Sequence, residues 1–194
     1  MAITYTNRSL QTYYLHQGTT KTGKPKYFFS MKSERSLVEH IPAGFEIYEN
    51  PNAQVFLRRI PKKIITDAEV QVVKQGMEKF SKVKPFIVDV KKEIIYIFTA
   101  GQDIDRLSEW VRSTADQFNR DDDTVEKLIQ RSIRYTSDLR FTLVDKQKRS
   151  FQTERYCYLG SIDDWIHIGP EDSLESLIKT YIPHLGQESF FELH

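Results

Sequence analysis

The sequence predicts an α+β fold: antiparallel sheet or sheets built from β-hairpins, with three to four amphipathic helices. Three observations carry this prediction. Paired apolar runs flank tips rich in Gly, Pro, Asn and Lys, which is hairpin chemistry. Apolar residues at helical spacing follow recognisable caps. No strand, glycine-rich turn and helix follow one another in the dinucleotide or P-loop manner, which argues against a doubly wound nucleotide fold. The 194 residues suit a single α+β domain over 1–194, or two lobes: a basic, hairpin-rich 1–100 and an acidic helix/hairpin 101–194.

Taken in order, the first hairpin spans Tyr13 to Lys32. Its arms Tyr13-Tyr14-Leu15 and Tyr27-Phe28-Phe29 enclose a tip from Gln17 to Lys26 with three lysines, two glycines, three threonines and no carboxylate. Ser36 to Ile41 is short and fits no single template, and Pro42-Ala43-Gly44 breaks the chain. A second hairpin pairs Phe45–Tyr48 with Gln54–Arg58 around Asn50-Pro51-Asn52, where Pro fixes φ and Asn tolerates unusual angles. Thr66-Asp67-Ala68-Glu69 is a capping box opening a helix with Val70, Val73, Met77 and Phe80 on one face. Pro85 ends it near Ser81 to Lys84. Phe86–Val90 and Glu93–Phe98 form a third strand pair turning at Lys91-Lys92, and the nearly all-apolar second member predicts a central strand covered on both faces.

Beyond Gly101 and Asp103, Ile104, Leu107, Val111 and Phe118 make a second helical stripe, which Asp121-Asp122-Asp123 interrupts. Asp123 and Glu126 predict the start of a third helix through Val125, Leu128, Ile129 and Ile133, its acids favoured by the helix dipole. Arg140–Val144 and Phe151–Tyr158 read as a further hairpin. A last helix over Asp172–Ile182 buries Leu174, Leu177, Ile178 and Tyr181, with Pro183 ending it. The apolar tail Ser189–Leu193 is expected to dock on the body as a short strand.

With 39% hydrophobic and 12% aromatic residues the chain has material for a core, which excludes global disorder. No window approaches the roughly 20 apolar residues that span a bilayer, so no membrane partner is expected. The start has no apolar segment behind basic residues, as a signal peptide would. The single Cys157 excludes an internal disulfide framework, and a cytoplasmic location follows as the default. The five histidines include no pair at i, i+4 and no Cys-x-x-Cys, so neither a metal nor another cofactor is expected. Net charge is +1, yet residues 1–100 hold 16 Lys+Arg against 9 Asp+Glu and residues 101–194 hold 12 against 18. That asymmetry suits an anionic partner for the basic half, or two halves that attract each other.

The first hairpin is the leading candidate site. Lys21, Lys24 and Lys26 would grip phosphates, the tip glycines would let amides approach an anion, and Tyr13, Tyr27 or His16 would stack on bases. Arg58, Arg59, Lys62 and Lys63 would extend this polyanion-binding surface if the second hairpin packs beside the first. The plain rival is a surface hairpin whose aromatics face the core while its lysines guard an edge strand. The expected function is a non-enzymatic cytoplasmic binding module, its partner nucleic acid, another polyanion or an acidic protein surface. One alternative is a protein-interaction or self-associating subunit, with homo-oligomerisation through apolar strands and the Phe190-Phe191 tail. The other is an enzyme with a site near Asp163, Asp164 and His167, joined by Cys157. Against it, adjacent residues do not share a face, and a turn or helix cap with Trp165 packed inward accounts for Ser161 to His167.

Overall fold

In the computed structural model, which describes residues 1–34, 36–101, 103–117 and 121–193, the fold is α+β. In chain order the elements are β1 (Thr4–Thr6), β2 (Thr12–Thr19), β3 (Pro25–Ser30), β4 (Phe45–Glu49), β5 (Val55–Arg59), α1 (Asp67–Phe80), β6 (Phe86–Lys91), β7 (Ile94–Ala100), α2 (Ile104–Gln117), α3 (Asp122–Ser132), β8 (Tyr135–Asp145), β9 (Ser150–Leu159), β10 (Ile162–His167), β11 (Asp172–Ser173) and α4 (Leu174–Tyr181). Every strand pairing among them is antiparallel. The chain divides into two compact units, each discontinuous: Met1–Pro61 with Gln102–Ile133, and Lys62–Gly101 with Arg134–His194. No helix among the described residues is long and apolar enough to cross a membrane.

In the first unit, β1, β2 and β3 form one sheet and β4–β5 a separate hairpin. Alternation along β2 sends Leu15 into the core, where it is fully buried, and Tyr13 shares its face. Among the described residues the stretch after β3 contributes one isolated bridge, Leu37 opposite His16, with the Gln17 amide donating to the Ser36 carbonyl at 2.9 Å. Tyr5 donates its hydroxyl to Glu49 at 2.9 Å, and Tyr27 meets Phe45 at a ring-centroid distance of 6.4 Å, tying the sheet to β4–β5. Helices α2 and α3 pack through Val111, Ala115, Val125 and Ile129, with Leu107 against them. The cap of α3 is Asp121, which accepts from the Thr124 amide at 2.8 Å, two residues before the expected start at Asp123. Asp121 wins because only its side chain reaches back over the first free amides. Phe118 lies outside the described residues.

The second unit is a sheet in the order β10-β9-β8-β7-β6, with β11 also pairing β9. One face is covered by α1 and α4: Val73, Met77, Leu177 and Ile178 pack with Ile95, Ile97, Leu139 and Phe141 in a common core. Burying each such side chain contributes about 1.5–3 kcal/mol. The Thr66–Glu69 capping box forms as the sequence predicts. Arg149 adds a second use for Glu69, donating to it from Nε at 2.8 Å. Where the helices cross, a Cβ on Gly76 would lie 2.3 Å from Ile178 Cγ2, so only glycine permits this approach.

Three expectations need correction here. β7 is central but covered by helices on one face only, so Ile95 and Ile97 are buried while Tyr96 and Phe98 are half-buried. Beyond Ser161 the stretch is no turn or cap: Ile162–His167 is strand β10, paired along β9 after the two-residue turn Gly160-Ser161 (Gly160 φ +63°). The tail docks, with Phe190 buried, but as a 3-10 turn over Glu188–Phe190 and not as a strand. Its anchor is Arg155, a buried arginine that donates to the Phe191 and Leu193 carbonyls at 3.1 Å each.

Candidate functional site

The β2–β3 hairpin closes through Thr20 to Lys24. The Thr20 amide donates to the Lys24 carbonyl at 2.8 Å, the Gly23 amide to the Thr20 carbonyl at 3.0 Å, and the Lys24 amide to Thr20 Oγ1 at 3.1 Å. Gly23 takes φ +78°, which its missing Cβ allows. These amides are therefore spent on the turn, and the expected glycine cradle for an anion is not what the tip offers. It offers charge on a braced support: Lys21, Lys24 and Lys26 are exposed, and no carboxylate among the described residues pairs with them.

Register decides which aromatics accompany the lysines. Gly18 lies opposite Lys26, His16 opposite Phe28, and Tyr14 opposite Ser30, so these share one face. Phe28 stacks on His16 at 5.4 Å and 13° between planes, and stays 42% exposed. His16 is buried beneath it, its Nε2 2.8 Å from the Lys32 carbonyl. Tyr13 and Tyr27 occupy the opposite face with Leu15, where Tyr27 meets Phe45. The structure thus brings Lys26 together with Phe28 and His16, and sets it apart from Tyr13 and Tyr27. A polar notch of about 260 Å³ lined by Gln17, Gly18, Thr19, Ser36 and Leu37 opens beside this hairpin.

The two arginines of β5 point to opposite faces. Arg58 donates to Glu46 at 2.8 Å and lies 3.8 Å over the Tyr48 ring, so its charge is already neutralised. Arg59 sits 5.7 Å over Phe45, on the face turned toward Tyr27. Net charge behaves in the same way. By unit, the first holds 13 Lys+Arg against 12 Asp+Glu and the second 15 against 15, because each joins a basic segment to an acidic one. The two-half asymmetry is a property of chain order that folding removes.

The residues of the enzyme alternative lie along β10 and its partner. Asp163 faces Tyr158 in register, Asp164 faces Cys157, and His167 faces Glu154. Neighbours on a strand alternate, so Asp163 and Asp164 point apart, and four residues of strand separate Asp163 from His167 by about 13 Å. Cys157 is buried on the helix-covered face. What β10 does complete is a lateral row across all five strands, in which Asp89, Tyr96, Arg140, Glu154 and His167 stand opposite one another. Arg140 binds Glu154 through Nε (2.7 Å) and Nη2 (2.9 Å), Thr142 Oγ1 donates to Glu154 at 2.6 Å, and His167 Nδ1 is 3.7 Å away.

Trp165 lies over this pair, its ring 4.3 Å from the guanidinium of Arg140, and touches Tyr156 and Tyr96 at 5.4 and 5.9 Å. Burial pushes the Glu154 carboxyl up, but the hydrogen bonds from Arg140 and Thr142 and the nearby positive charge outweigh it and hold it below the ordinary value. Asp138 goes the other way: burial raises it, and the hydrogen bond from Thr99 offsets only part. The row is self-satisfied, so its chemistry is that of a second small core on the open face. Sequence spacing gives no sign of it, since its members come from strands up to about 80 residues apart.

Among the described residues no group of three or more His, Cys, Asp or Glu converges as metal ligands would. A groove of about 340 Å³ runs between α2 and α3, floored by Val111 and Ala115 and flanked by the exposed Trp110 and Leu128. The chain matches no family model, no curated protein and no solved structure.

Proposed function

We propose that this protein is a binding module that engages a polyanion through the β2–β3 hairpin. One observation carries the reading: Lys21 and Lys24 stand exposed on a turn braced by its own hydrogen bonds and Lys26 on the strand beside it, with no carboxylate among the described residues to neutralise them. A polyanion would meet three cations whose backbone support is already ordered, so binding costs the rotamer freedom of the lysine side chains, about 0.5–1.5 kcal/mol each, and no ordering of the turn.

The test is fluorescence anisotropy of a labelled single-stranded oligonucleotide and of labelled inorganic polyphosphate across a salt series. Three lysines on a single strand give a log–log salt slope of about −2, so affinity falls about 20-fold between 50 and 200 mM salt. The Lys21→Ala/Lys24→Ala/Lys26→Ala variant is expected to lose most of that slope. Absence of binding to either polyanion at low salt, or a slope unchanged in the triple variant, refutes the reading.

A further inference from the structure

We infer that the polyanion is a single-stranded nucleic acid, one of whose bases stacks on Phe28 while the adjoining phosphates lie along Lys26, Lys24 and Lys21. This rests on the polyanion reading above and names its substrate class. The face that carries Lys26 has an ordered sequence of surfaces. From the tip downward come the cations, then Gly18 opposite Lys26, then Phe28 over His16, then Tyr14 opposite Ser30. Lys26 and Phe28 are two residues apart on one face of β3, about 7 Å along the strand. That separation is comparable with the span from a nucleobase to its own phosphate.

Three features make Phe28 a platform and not a core residue left uncovered. Its ring lies nearly parallel to that of His16, 13° between planes, so one flat side is supported and the ring is held in place. It is 42% exposed while His16 beneath it is buried, so the free side faces outward. Gly18, its neighbour across the strands, contributes no side chain; even a Cβ there would lie 3.4 Å from Phe28 Cε1 and begin to shield the ring. Duplex DNA keeps its bases stacked inside and cannot use such a ring, whereas every base of a single strand presents a π-face to it.

The experiment compares four labelled or competing probes on the full chain: a single-stranded oligonucleotide, an abasic deoxyribose-phosphate strand of equal length, the corresponding duplex, and polyglutamate. The single strand is expected to bind about 5- to 30-fold more tightly than the abasic strand, the effect of one stacked base on a half-exposed ring. The conservative Phe28→Leu variant is expected to close that gap while leaving the abasic strand's affinity and the salt slope unchanged. The wild-type comparison needs no variant to fold. Equal affinity for single and abasic strands, for the duplex, or for polyglutamate overturns the inference and leaves the polyanion reading standing. Failure of every anionic probe to bind removes both.

Discussion

Glu154→Gln tests whether the open face of the second unit's sheet is a core in its own right. The substitution keeps the shape of the side chain and one acceptor for Thr142, but leaves the Arg140 guanidinium under Trp165 without its counter-charge. Breaking a fully buried pair costs about 3–5 kcal/mol. Arg140 and Glu154 retain 17% and 8% side-chain exposure, so a loss nearer about 2–3 kcal/mol is expected. With a urea m-value of about 2 kcal/mol/M, the midpoint moves down by about 1–1.5 M. The assay is urea unfolding followed by Trp165 fluorescence in a Trp110→Phe background, since the chain has two tryptophans. The pH dependence has a definite sign. Glu154 is held below its ordinary value in the folded protein, so its stabilisation is full above the unfolded value of about 4.3 and fades as pH falls through the lower folded value. The deficit of Glu154→Gln relative to wild type therefore shrinks between pH 7 and strongly acid pH. A double variant, Arg140→Met/Glu154→Leu, should recover most of the loss at pH 7. An unchanged midpoint in Glu154→Gln at pH 7, or a deficit that persists undiminished in acid, refutes the reasoning.

Two further outcomes follow from close contacts in the same unit. Gly76→Ala should lower stability by about 1–2 kcal/mol in urea melts, because the 2.3 Å clash with the stiff, buried Ile178 exceeds the gain in helix propensity. In an Ile178→Ala background the same change should stabilise by about 1 kcal/mol, and a stabilising effect in both backgrounds would mean that the helices do not cross at Gly76. Arg155→Met should release the tail held at the Phe191 and Leu193 carbonyls, seen as faster amide exchange over residues 187–193; unchanged exchange there would show that Phe190 alone holds it.

What the sequence shows well is whatever is settled within a few residues. Thr66 and Glu69 complete their capping box three positions apart, and the β2–β3, β4–β5, β6–β7 and β8–β9 hairpins each turn on local chemistry. What it hides depends on partners far along the chain. Ile162–His167 carries adjacent aspartates that read as a turn, and becomes a strand only because β9 provides a ladder for it. The facing of side chains is hidden too. Tyr13 and Tyr27 are as conspicuous in sequence as His16 and Phe28, and a one-residue change of register would exchange their roles. Charge counted by halves misleads for the same reason, since the compact units are assembled from alternate segments.

The hairpin stands out by how its cations cluster and not by their being unpaired. In the first unit Arg8 is held by Glu49, Arg58 by Glu46, Arg112 by Glu126 and Lys127 by Asp123, while Lys32, Arg59 and Arg106, like the three hairpin lysines, stand in no ion pair among the described residues. What sets Lys21, Lys24 and Lys26 apart is their clustering, three exposed lysines on one hairpin tip with no carboxylate between them. Guarding an edge strand explains Lys26, which lies on β3 at the margin of its sheet, because a charge there discourages pairing with another chain. It does not explain Lys21 and Lys24, which sit in the turn, where no ladder is exposed to guard. The two accounts therefore separate by position. A guard predicts that Lys26→Ala alone promotes aggregation and that Lys21→Ala/Lys24→Ala changes nothing. A polyanion contact predicts that Lys21→Ala/Lys24→Ala removes about two-thirds of the salt slope while the protein stays monodisperse.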